Sequence, residues 1–272
     1  HEQIGQRFQN HIHETADGLF LGTGPDAIPL HAFQLRTTKS RDSLALKLLQ
    51  KAENVAAEVF DWVGVRFVTQ HRFDALLVAK YLRTHNLVVF AHVRPGRSRN
   101  TLVDTERLKR DMRELDEDVR AGRMAEHEKL DVLRRRVADH GYPTEASRSA
   151  NPFSLSSYHS IQFTVTQQIS APNPYLGGMG TALHQQRTPT KEFVSRALHK
   201  VGMHAEVKFF FPYEIQILDR DSFEESRVGR ASHEVYKARQ RLAVKRRLFG
   251  DRVTEATAAW DAVEGGEQAA GQ

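Results

Sequence analysis

The segment Phe60-Asp61-Trp62-Val63-Gly64-Val65-Arg66-Phe67-Val68 constrains this chain more than any other. It reads as an apolar β-strand interrupted by an acid at its start and an arginine five residues later. Far downstream, Tyr213-Glu214-Ile215-Gln216-Ile217 sets a second acid into a second strand-like run. A charge inside a strand of Val, Ile, Phe and Tyr is costly to bury unless something pairs with it. Two explanations are open: a structural ion pair at a strand end, or two strand-borne carboxylates facing a divalent metal on a polyphosphate.

The surrounding pattern predicts α+β architecture, a mixed sheet of about five strands flanked by helices. Residues 1–35 read as a short helix and a loop punctuated by Leu21-Gly22-Thr23-Gly24-Pro25. Leu44, Leu48, Val55 and Val59 recur at helical spacing over 40–58, with lysines on the other face. A strand at 59–69, a helix at 73–84 and a strand at 87–93 follow. Residues 101–139 are densely charged and helix-favouring, with Gly122 as a break and a thin apolar stripe of Leu108, Met112, Leu115, Val119, Leu130, Leu133 and Val137. They predict a helical hairpin or one broken helix, inserted into the core, that packs on its own domain or reaches a partner. Beyond lie a strand at 156–165, a Pro- and Gly-rich loop, a helix near 190–201, a strand at 205–218 and a basic helix at 226–249. The expectation is one domain over 1–250, with insertions at about 101–145 and 170–203. Residues 251–272 are expected to form a partly disordered tail.

A formal charge of +5 and a pI near 9.5 favour phosphate-rich ligands over cationic ones. Cysteine is absent, which excludes disulfide and thiolate chemistry. No apolar run has membrane-spanning length and no signal-peptide pattern opens the chain, so a cytoplasmic, non-membrane protein is expected. The first residue is His rather than Met, which leaves an upstream segment open.

Five partial motifs then line up. Arg36, Lys39, Ser43 and Lys47 are expected on the first core helix. Asp61-x-x-Gly64-x-Arg66 follows, then Tyr158-x-Ser160-Ile161, Glu214-Ile215-Gln216-Ile217, and Gly229-x-Ala231-x-His233-x-x-Tyr236-Lys237. In this order they resemble a RelA/SpoT-type synthetase domain, and the chain is similar to the small alarmone synthetases. The resemblance implies a nucleotidyltransferase-like fold. It also implies Mg²⁺-dependent transfer of pyrophosphate from ATP to the ribose 3′-hydroxyl of GDP, GTP or another nucleotide.

By that resemblance Asp61 is a metal ligand, and Glu214 either shares the metal or takes the proton of the attacking hydroxyl. Lys39, Ser43 and Lys47 recur at four-residue steps and would face the triphosphate. Arg66 would lie against the donor adenine, opposed by Arg36, with Arg41 a poorer stand-in. Tyr158 would stack on the acceptor base, with Gln162 and Gln216 beside it, and His233 and Lys237 complete the set. Small members of that family often assemble as tetramers, so a homo-oligomer is among the implied partners.

Departures fall on the acceptor side. Gln162 stands where the family usually has His, and Leu218-Asp219 where it usually has Arg-Thr, with Arg220 as a partial substitute. The family's basic Lys-Asp-Tyr segment has no convincing match. Two other readings therefore stand beside alarmone synthesis. One is the same transfer to an adenosine nucleotide or a tRNA 3′ end, motivated by the basic helix with Lys237, Arg239, Arg241, Lys245 and Arg246. The other is a degenerate nucleotide-binding or interaction protein whose charged arm contacts a partner.

Overall fold

Two-residue alternation at 33–36, 64–67 and 213–217 gives this part of the sheet one apolar and one polar face. The computed structural model describes residues 1–37, 40–50, 61–143, 158–173, 206–228 and 233–250. Its strands are β1 (Ile12–Thr15), β2 (Gly18–Leu21), β3 (Ile28–Arg36), β4 (Gly64–Thr69), β5 (Arg99–Asn100), β6 (Ile161–Pro172) and β7 (Glu206–Asp219). They form one mixed sheet in the order β1-β2-β3-β4-β7-β6-β5, with β3 antiparallel and β7 parallel to β4.

Register pairs Phe33 with Phe67 and Phe67 with Ile217, and Leu35 with Val65 and Val65 with Ile215. Val65, Phe67, Ile215 and Ile217 are fully buried. Helix α1 (Glu2–Gln9) covers this face, and its Phe8 ring meets Phe67 and Tyr213 edge-on at 6.0 and 5.9 Å. Helix α3 (Asp74–Thr84) packs on β3 and β4 through a buried stripe that includes Ala75, Val78 and Leu82.

Helices α4 (Thr105–Arg120) and α5 (Glu126–Asp139) form the expected hairpin, turning at Gly122 with φ +69°. Asp104 caps α4 by accepting from the Glu106 and Arg107 amides. Leu108, Leu115, Leu133 and Val137 are buried, and Arg134 pairs at 2.8 Å with Asp74, a fully buried residue of α3. The hairpin therefore packs on its own chain. Helices α6 (Arg220–Val228) and α7 (His233–Phe249) follow β7, and α7 lies against α2 (Arg41–Gln50).

Contacts divide the chain into two units, His1–Val165 with Tyr213–Gln272, and Thr166–Pro212. Within the second, Ser170 donates to Glu206 across β6 and β7. Among the described residues no helix is long and apolar enough to cross a membrane.

Several expectations are corrected. Among the described residues the sheet has seven strands rather than about five, because residues 12–36 form β1–β3 instead of a loop. The first two are only four residues long and offer too little alternation to read. Arg36 ends β3 rather than lying on a helix, since Phe33/Leu35 and Gln34/Arg36 alternate with period two. The strand expected at 87–93 is a turn over Phe90–His92, and pairing with β6 begins only at Val93, opposite Val165. It resumes at Arg99 after a second turn at Pro95–Arg97. Strand β4 starts at Gly64, so Asp61 precedes it, just before a bend at Trp62 and Val63. The basic helix expected at 226–249 is replaced by α6 and α7, with 229–232 between them outside the described residues. Part of the helix expected at 40–58, the helix near 190–201 and the tail also fall outside them.

Phe67 is fully buried on the apolar face, its ring 6.0 Å from that of Phe8 and 5.2 Å from that of Phe33. Phe67→Ala is expected to lower unfolding stability by about 3–5 kcal/mol, measured by denaturant titration.

Candidate active site on the polar face of the sheet

The alternation that buries Val65 and Ile215 turns their neighbours to the opposite face, where register aligns them in two rows. Arg36, Gly64 and Glu214 make one row; Gln34, Arg66 and Gln216 make the other. Glu214 accepts from the Gln162 amide on one oxygen and from Gln216 Nε2 on the other, the latter at 2.8 Å. Gln216 Oε1 accepts from Arg66 Nε and Nη2 at 3.1 and 2.9 Å, and Tyr158 OH lies 3.5 Å away. Arg66 Nη1 donates to Gln34 Oε1 at 3.3 Å. With a carboxylate on one end of the Gln216 amide and a guanidinium on the other, its orientation is fixed.

Gly64 has a local reason. A Cβ there would stand 3.2 Å from Arg36 Nη2, so the bare backbone lets that guanidinium lie over the strand. Arg36 Nη2 also donates to the Asp61 carbonyl at 3.2 Å, and Lys47 Nζ reaches Asp61 Oδ1 at 2.6 Å. The 62–63 bend is held by Glu214 N donating to Val63 O at 3.0 Å. Asp61 and Glu214 are thus tied through adjacent backbone.

Electrostatics follow from this crowding. Burial, and then the negative charge of Asp61, push the Glu214 carboxyl above the usual range, while Arg36, Lys47 and Gln162 oppose the shift. Burial lowers Lys237, against the pull of Asp61 and with the repulsion of Arg241, Arg36 and Lys47. Burial raises Tyr158. Arg36 and Lys47 thus act on Glu214, Asp61 acts on Lys237, and Arg241 stands near enough to Lys237 to repel it.

Of the residues singled out in the sequence, Arg36, Lys47, Asp61, Arg66, Tyr158, Gln162, Glu214, Gln216 and Lys237 come together. Ser43 is engaged elsewhere, accepting from Ser40 Oγ at 2.8 Å at the start of α2. Lys39 lies outside the described residues, as does the His233 side chain. Leu218 is a core residue, and Asp219 accepts from Ser222 N at 3.0 Å at the start of α6. Arg220 is exposed.

Two site residues escaped sequence reading, and Arg241, read there only as part of a basic helix face, stands one helical turn beyond Lys237. Gln34 is signalled by its alternation with Arg36. Arg99, in register with Gln162 on a two-residue strand, has no periodic signal. It lines a shallow, mainly apolar pocket with Phe90, Val93, Ile161, Gln162 and Phe163.

Among the described residues no group of three His, Cys, Asp or Glu could hold a metal unaided. The donor set nevertheless fits Mg²⁺, which commonly takes one or two protein carboxylates and completes its shell with phosphate oxygens and water. Asp61 raises the Glu214 carboxyl by like charge, and a cation between them would relieve that repulsion.

The raised Glu214 carboxyl has a sign-defined consequence. The folded state holds this proton more tightly than the unfolded state, so the group costs stability as pH rises from the unfolded carboxyl pKa through the folded one. Glu214→Gln, which mimics the protonated form, is expected to raise the melting temperature above wild type at pH 8. The gap should close toward pH 4, as followed by calorimetry across pH.

No family model matches the chain, and no curated protein matches it. Among solved structures it is similar to small alarmone synthetase 2 from Bacillus subtilis, with 11% identity, a TM-score of 0.38, and 87% of this chain and 81% of that chain covered. It is also similar to a GTP pyrophosphokinase family protein from Streptococcus pneumoniae, with 12% identity, a TM-score of 0.31, and 86% and 79% covered. Both likenesses are remote, and the reading of the site rests on its own residues.

Proposed function

We propose that the protein is a Mg²⁺-dependent pyrophosphokinase that transfers the β,γ-pyrophosphate of ATP to the ribose 3′-hydroxyl of a guanine nucleotide. The observation that carries this reading is convergence. Arg36, Lys47, Asp61, Arg66, Tyr158, Glu214 and Lys237, drawn from separate partial motifs, meet on one polar patch.

Phosphoryl chemistry depends on positioning and charge neutralisation, and these residues supply both. Asp61 and Glu214 would hold the metal, whose chemistry is to neutralise polyphosphate charge. Arg36, Lys47, Lys237 and Arg241 bind the triphosphate oxygens. Arg66, its guanidinium held by glutamine oxygens, offers a planar face to adenine, while Tyr158 stacks on the acceptor base. Arg99 stands on the acceptor side, where its guanidinium suits an acceptor phosphate.

In the transfer, the acceptor 3′-oxygen bonds to the β-phosphorus as the bond from that phosphorus to the α,β-bridging oxygen breaks. AMP leaves with the bridging oxygen, and the hydroxyl proton passes to Glu214. The basic helix α7 gives weaker support to a tRNA acceptor than its composition suggests, because Lys237 is drawn into the field of Asp61.

The test is incubation of the protein with Mg²⁺ and γ-labelled ATP, offering GDP, GTP, AMP, ADP or deacylated tRNA. Label is expected in a guanine nucleotide; label in AMP, ADP or tRNA moves the acceptor assignment, and label in none overturns the activity. Asp61→Asn and Glu214→Gln should each lower kcat by at least about a hundredfold. Arg99→Ala should raise the acceptor KM about tenfold with little change in the KM for ATP.

A further inference from the structure

Next to Tyr158 in the chain, His159 belongs to a second cluster. The Tyr142 and His159 rings stack in parallel, with centroids 3.4 Å apart and planes 1° from coplanar. The Arg72 guanidinium carbon lies 4.0 Å from the Tyr142 centroid. At those distances the two neighbours cannot share a face, so the Tyr142 ring is sandwiched between them.

Each end of the sandwich is anchored. On one side His159 Nδ1 donates to Thr101 O at 2.9 Å, and Ser160 N donates to Thr101 Oγ1 at 3.0 Å. Thr101 N returns a bond to Ser160 O at 2.9 Å. On the other side Arg72 Nη1 donates to His140 O at 2.8 Å, and Nε lies 3.7 Å from Asp219 Oδ2. Asp219 in turn starts α6, which brings Phe223 to 6.0 Å from the Arg66 guanidinium.

We propose that Tyr142 is a positioning residue for the acceptor half of the site, the ring that clamps His159 and thereby fixes Tyr158 beside Gln216. Tyr158 and His159 are consecutive: the first reaches Gln216 in the site and the second enters the stack. Holding His159 flat therefore fixes the direction in which Tyr158 points. Arg72 adds a planar charge to the far face of Tyr142 and links the stack to the end of β7. The proposal rests on the reading that Tyr158 receives the acceptor base.

The experiment compares Tyr142→Leu, which keeps apolar bulk without a ring, and Tyr142→Phe, which keeps the ring, in the full chain. Tyr142→Leu is expected to raise the acceptor KM about tenfold, with kcat and the KM for ATP within about twofold of wild type. Tyr142→Phe is expected to behave as wild type. Amide hydrogen exchange over 158–163 should quicken in the Leu variant alone, with β3 and β4 unchanged. Parallel rises in both KM values, a Leu variant identical to wild type, or a Phe variant as impaired as Leu would overturn the proposal. If Tyr142→Leu does not fold, Arg72→Lys, which keeps charge but loses the planar face, is expected to give a rise of about threefold in acceptor KM alone. If the wild-type protein transfers pyrophosphate to nothing, the proposed function falls separately, and the stack is decided by the exchange of 158–163.

Discussion

The register between β3, β4 and β7 decides where every charged group in the site can stand. Shifting β4 by one residue would turn Arg66 into the core beneath Phe8 and bring Phe67 to the polar face. Val65 and Phe67 pair across to Leu35 and Phe33 on one side and to Ile215 and Ile217 on the other. The register is therefore fixed by four buried apolar side chains, Val65, Phe67, Ile215 and Ile217, and by half-buried Phe33 and Leu35 beside them, not by the polar contacts. The polar rows inherit their alignment from that core. This is why a strand can carry an arginine and a glutamate at modest cost: the fold has already turned them away from the apolar face.

Within the polar face, neutral amides do work that charges would do less well. Glu214 is bonded by Gln162 and Gln216, and Arg66 by Gln216 and Gln34. A fully ionic network would neutralise the arginine and the acid against each other. Glutamines satisfy their geometry while leaving most of each charge available to a ligand. The cost appears at Glu214, whose carboxyl is raised because burial and Asp61 outweigh what the amide bonds return.

Much of this was legible in the residues. Period-two alternation around Asp61, Arg66, Glu214 and Gln216 located two central strands, and the charged segment after residue 100 announced its hairpin. What could not be read had physical reasons. Strands of four residues carry too few alternations, and β5, with two, carries none. The apolar run after Asn86 reads as a strand, yet Leu87 and Val88 are buried while Val89 and Phe90 are exposed, because burial there follows a turn and not a pleat. Arg36 looked helical through its spacing to Lys39, Ser43 and Lys47, whereas the chain changes from strand to helix between them. Arg72, Tyr142 and His159 are far apart in sequence and share no motif; only tertiary structure stacks them.

One atom, Gln216 Oε1, is shared by two side chains assigned to opposite halves of the reaction. It accepts from Arg66 and lies within reach of the Tyr158 hydroxyl, while the nitrogen of the same amide serves Glu214. A half-turn of this amide would withdraw the acceptor from Arg66 and the donor from Glu214 in one motion. The proposed donor platform, the proposed acceptor platform and the acid are thus keyed to a single torsion, which makes Gln216 the mechanical connection between Arg66, Tyr158 and Glu214.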